Sequence, residues 1–74
     1  METKFLERLT ELLERESPVN LEDMFRDYGN WDSLAHLIVI SFVDEDYGIV
    51  IPRDDFNKMK TVQEIYDYIV SHSK

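Results

Sequence analysis

The sequence predicts an all-α fold: an antiparallel bundle of three main helices plus one short helix, with a long loop between the first two main helices. Three observations predict it. Apolar residues recur at helical spacing in separate segments. Those segments are bounded by residues that start or stop helices. No pairing of strands is in sight, which leaves a helix bundle as the natural architecture.

Phe5, Leu6, Leu9, Leu12 and Leu13 place the first helix from about Thr3 to Arg15, with Glu11 and Arg15 as a favourable pair one turn apart. Pro18 is expected to end it, because the residue before a proline is pushed out of the α region. Residues 17–32, SPVNLEDMFRDYGNWD, form the long connection. Val19, Leu21, Met24, Phe25, Tyr28 and Trp31 fasten it to the core, and Asn20 is a candidate cap for a short turn carrying Leu21 to Phe25. A long ordered loop in a compact domain is often functional.

Asp32 or Ser33 caps the second helix, which runs to about Tyr47, and Gly48 follows where a left-handed terminating residue belongs. Leu37, Ile38, Val39, Ile40, Phe42 and Val43 make its middle apolar nearly all round. That pattern predicts a central helix touched on several sides. GIVIP reads as an extended connector whose Ile49 and Ile51 plug the core. RDDFNKM reads as the short helix, with Phe56 and Met59 inward. Thr61 caps a last helix, Val62 to about Ser71, whose stripe is Val62, Ile65, Tyr66 and Ile69.

The 74 residues suit one domain, 1–74. Chains this short commonly rely on disulfides or a metal. With no cysteine, disulfides and thiolate metal sites are excluded, and stability rests on packing. The N-terminal METKFLERLTELLERE is charged throughout and has no apolar signal core. The longest apolar run, Leu37 to Val43, is broken by Ser41 and is too short to span a membrane. A soluble, cytoplasmic monomer is expected. The net charge of −8, from 16 acids against 8 bases, argues against nucleic-acid binding. It suits partners with basic surfaces, but charge alone favours plain solubility.

Candidate chemistry is sparse. DEDYG begins like a calcium loop, but counting from Asp44 the sixth residue is Ile49 and the twelfth Asp55, so glycine and glutamate are missing where such a loop needs them. His36 and His72 have no metal-ligand spacing, and His36 is expected on a helix surface. A serine nucleophile needs a base, an orienting group and an oxyanion hole. Ser33 has His36 three residues on, and nothing suggests the rest. No GxSxG and no glycine-rich phosphate loop is present. A non-enzyme is expected. Ser33 itself stays open between a helix cap and a modified serine, whose anionic ester would suit a helix start.

The residues taken together resemble the acyl carrier proteins. DSL at Asp32 to Leu34 stands ahead of an apolar helix that ends in acids. Around it come a charged first helix, a long loop, WDSLAHL, DEDYGIVIP and KTVQEIYDYI in that order. The resemblance covers almost the whole chain. It implies that Ser33 carries 4′-phosphopantetheine, taken from coenzyme A by a phosphopantetheinyl transferase that reads Asp32 and Leu34. The arm's thiol then carries acyl groups as thioesters, which explains a carrier without cysteine. Asp44, Glu45 and Asp46 fall where the family presents acids to basic patches on acyl-loading and acyl-processing enzymes. Many fatty-acid carriers have acids where this chain has Ala35 and Ile38. Those two residues therefore become candidate partner contacts. The resemblance implies service in fatty-acid, polyketide or related biosynthesis, and the two departures point to a specialised carrier within that range. The alternatives are an aminoacyl or peptidyl carrier, and an acidic helical interaction module with no prosthetic group.

Overall fold

The computed structural model describes residues 2–29 and 31–73, and among them every regular element is helical. α1 spans Glu2–Leu12, α2 Ser33–Tyr47, α3 Arg53–Lys58 and α4 Val62–His72. A single 3₁₀ turn, Phe25–Asp27, lies in the long loop. The predicted bundle of three main helices and one short one is the observed fold.

Phe5, Leu9 and Leu13 of the first segment, Val39, Phe42 and Val43 of α2, Phe56 of α3, and Val62, Ile65 and Ile69 of α4 meet in one core. No polar or charged side chain is buried among the described residues. The connector behaves as its alternation predicts: Ile49 and Ile51 are buried, and Val50 between them is 66% exposed. Phe56 and Met59 point inward as expected.

α1 ends three residues earlier than predicted, and proline is not the cause. Glu14 takes the left-handed conformation, φ 53. Its N–H donates to the Glu11 carbonyl at 3.1 Å, and the N–H of Arg15 reaches back to the Thr10 carbonyl at 3.0 Å. These two bonds satisfy the last carbonyls of the helix in the manner usual for a terminating glycine. The expected Glu11–Arg15 pair gives way to Arg8–Glu11 at 3.8 Å, while the Arg15 guanidinium lies 3.6 Å over the Tyr28 ring. A side chain in the left-handed region costs about 1–2 kcal/mol. Glu14→Gly is therefore expected to stabilise the fold by up to about 1 kcal/mol, less the extra freedom glycine has when unfolded. Glu14→Ala should be near neutral, and urea midpoints of the two variants check both expectations.

The long loop is ordered by hydrogen bonds as well as by packing. Val19 and Phe25 are buried, but Met24, expected inward, is 49% exposed. Asn20 does not cap the turn that follows it. Instead the Asp23 carboxylate accepts the Asn20 N–H at 3.0 Å and the Tyr28 hydroxyl at 2.9 Å. The carbonyls of Asp23 and Leu21 accept the N–H groups of Val62 and Gln63 at 3.0 and 2.7 Å, tying the loop to the start of α4. Thr61 and Glu64 complete that helix start as a reciprocal capping box. Arg26 ties the loop to α3: its Nε donates to the Met59 carbonyl at 3.0 Å and its Nη2 to the Phe56 carbonyl at 2.8 Å.

α2 is not the enclosed helix its composition predicts. Ala35, Val39, Phe42 and Val43 are its buried residues, whereas Leu34 and Leu37 are 64% and 58% exposed. One face supports the core, and a second apolar face looks outward.

Candidate functional site

The site begins at the loop-to-α2 junction. Asp32 is extended, and its Oδ1 accepts the Ala35 N–H at 2.9 Å. Its carbonyl accepts the N–H of His36 at 3.1 Å, opening the helical ladder. Asp32 is thus the cap and Ser33 the first helical residue, a distinction the sequence leaves open. Ser33 is exposed and its hydroxyl is not spent on capping. It stands at the positive end of the 15-residue α2, where an anionic ester is stabilised.

Ser33 borders an open cleft of about 390 Å³, at the small end for ligand sites. Trp31, His36 and Leu37 form one wall, and Arg53 and Asn57 of α3 form the other. His36 is half-buried rather than a plain surface residue. Its ring stands edge-on to Phe56 with centroids 4.6 Å apart. Burial first, and then the cations of Arg53 and Arg26, hold its pKa below the ordinary histidine value. Trp31 rests on Phe25 at 4.9 Å and on Phe56 at 6.4 Å, so Phe56 is the floor beneath both aromatic walls.

The other expected contact residues separate by face. Leu34 is exposed beside Ser33, and Ile38 is half-buried. Together with Leu37, Ser41 and Glu45 they border a groove closed on the α1 side by Arg8 and Leu12. Ala35 is not on that groove but borders a neighbouring hollow with Leu34, Ile38 and Leu12. It is 7% exposed and faces the core, because its spacing puts it in line with Val39 and Phe42. Little of its side chain is left for a partner to touch.

Asp44, Glu45 and Asp46 are all exposed. Asp46 is engaged within the chain by Arg8 at 3.5 Å, an exposed pair worth no more than about 1 kcal/mol. Asp44 and Glu45 form no ion pair among the described residues. No group of three or more histidine or acidic side chains is placed to hold a metal among the described residues. No helix among the described residues is long and apolar enough to cross a membrane.

Sequence reasoning missed Trp31, Arg53 and Asn57 as neighbours of Ser33. Arg53 carries the one available signal. It is a cation at the first position of a helix, where the partial positive charge of the backbone disfavours it.

The family model for the phosphopantetheine attachment site matches residues 3–69. The chain is 39% identical over 57 residues to the acyl carrier protein of Rubrobacter xylanophilus, covering 77% of this chain and 70% of that protein. It is 36% identical over 59 residues to the acyl carrier protein of Treponema denticola, covering 80% and 76% of the two chains. With the acyl carrier protein of Thermosynechococcus vestitus it shares 38% identity over 48 residues, 65% of this chain and 59% of that one. No solved structure matches the chain.

Proposed function

The chain belongs to the acyl carrier proteins, the phosphopantetheine-attachment family, and from that premise we propose that Ser33 is the attachment residue. Members of this family are non-catalytic carriers with a covalent 4′-phosphopantetheine group. The observation that carries the assignment is the division of labour at the start of α2: Asp32 caps the helix, and Ser33 stays exposed beside it.

The residues present suit the group. Loading forms a bond between Ser33 Oγ and the phosphorus next to the pantetheine. The pyrophosphate link of coenzyme A breaks, and its nucleotide half departs. The hydroxyl proton passes to a base on the transferase. This chain presents the hydroxyl at a rigid helix start, with Asp32 and Leu34 exposed on either side for the transferase to read. Once bound, the group supplies a thiol on which an acyl chain rides as a thioester.

The outer face of α2 is the partner surface in this reading. Leu34, Leu37 and Ile38 supply apolar contact near Ser33, and Asp44 and Glu45 supply charge towards the other end. An apolar front half suits a specialised, cytoplasmic carrier of a polyketide or related route, served by acyl-loading and acyl-processing enzymes with basic patches. The whole chain acts as a single carrier domain, working as a monomer.

The decisive experiment is intact-mass measurement after incubation with coenzyme A and a broad-specificity phosphopantetheinyl transferase. A gain of one phosphopantetheine is expected, and folded protein that gains none under an active transferase overturns the reading. A second measurement addresses the acids. Reversing Asp44 and Glu45 to lysine should slow association with the transferase about tenfold at low salt, and added salt should slow the wild type. Association indifferent to salt would assign recognition to the apolar face instead.

A further inference from the structure

We propose that the cleft between α2 and α3 seats the phosphodiester of the arm, with Arg53 as its cation and Asn57 as a neutral donor beside it. This rests on the reading that Ser33 carries the arm, and it adds that the arm is held at its root.

Position is the first support. Arg53 lies far along the chain from Ser33, yet both border one open cleft. Asn57 follows Arg53 at i+4, so the two share one face of α3.

Charge is the second. The chain is strongly acidic, at −8, but this cleft carries a cation. Arg26, the other guanidinium near His36, is spent on the carbonyls of Phe56 and Met59. Arg53 is exposed and forms no ion pair or side-chain hydrogen bond among the described residues. Its place at the first position of α3 opposes the helix dipole, so helix stability does not account for it. A guanidinium fork suits two oxygens of one phosphodiester, whereas a lysine would offer only a point charge. Asp32 is the one carboxylate on the cleft among the described residues, and its Oδ1 is occupied by the Ala35 N–H.

The test is NMR of the ¹⁵N-labelled protein before and after loading, with intact mass verifying one arm on each sample. In the wild type, the side-chain N–H signals of Arg53, Asn57 and Trp31 should shift on loading, and the shifts should shrink with added salt. His36, which faces Arg53 and Arg26 and shares the cleft with Asp32, should titrate at higher pH once an anion is seated there. Loaded Arg53→Gln should lose at least half of the Asn57 and Trp31 shifts, and Arg53→Lys should retain an intermediate share. Shifts confined to residues flanking Ser33, and equal in wild type and Arg53→Gln, would overturn the proposal and leave the arm in solvent. A wild type that gains no mass would instead overturn the attachment reading, and the seat would fall with it.

Discussion

Ser33→Ala is expected to accept no phosphopantetheine while keeping wild-type stability to within about 0.5 kcal/mol. Loss of loading follows from chemistry, since no other atom at that position offers a hydroxyl. Retained stability follows from the helix start. The cap hydrogen bond is made by Asp32 to the N–H of Ala35, and Ser33 is already inside the helix, where alanine is the better helix former. Asp32→Ala should do the opposite to the fold and cost about 1 kcal/mol, because an N–H of the first turn loses its acceptor. Intact mass and urea denaturation on the two variants separate the roles. An arm found on Ser33→Ala would sink the assignment. A Ser33→Ala protein that unfolds would make the serine a structural residue.

Phe56→Ala is expected to bring the molecule to the edge of unfolding. Phe56 is fully buried and touches Phe25, Trp31 and His36. Removing a buried phenyl ring costs about 3–5 kcal/mol. At 0.05–0.15 kcal/mol per residue, a chain of this length has roughly 4–11 kcal/mol in total. The loss is therefore a large fraction of what holds the protein together. It falls where the loop, α2 and α3 meet, so the cleft beside Ser33 should loosen before α1 and α4 do. Far-UV circular dichroism with urea gives the midpoint, and fluorescence of the single tryptophan, Trp31, reports the cleft. A cost below about 1 kcal/mol would show that α3 is not the keystone described here. Phe56→Leu keeps most of the volume and should remain folded, so the effect on the cleft stays measurable if the alanine variant does not fold.

Much of the fold was legible because its signals are local. α2 begins and ends where the DS pair and Gly48 place its limits, and Gly48 adopts the left-handed conformation at φ 67. Thr61 and Glu64 stand three apart, and their capping box fixes the start of α4 without help from the rest of the chain. Ile49 and Ile51 alternate with Val50, and that alone decides which of them face inward.

Where the structure departs from the sequence pattern, the cause lies in contacts distant along the chain. Pro18 is the local stop signal after α1, but Glu14 ends the helix by accepting a strained conformation, while Arg15 turns onto Tyr28 across the loop. No nearby sequence feature marks that exchange. The middle of α2 is itself apolar nearly all round, which predicts enclosure, yet a bundle of this size has too few neighbours to cover every side of a central helix, and Leu34 and Leu37 remain outside.

By itself, the sequence determined the helices, most of the core and the family, and it singled out Ser33 as the residue to test, because helical period, caps and a short motif are written within a few residues of one another. Only the tertiary structure decided that Asp32 rather than Ser33 caps α2, since that depends on backbone angles at a junction held from outside the helix. It also decided which of the apolar residues of α2 remain in water, and it brought Arg53 and Asn57 to the cleft beside Ser33. These outcomes depend on contacts between residues far apart in the chain, which form only when the loop, α2 and α3 close over Phe56.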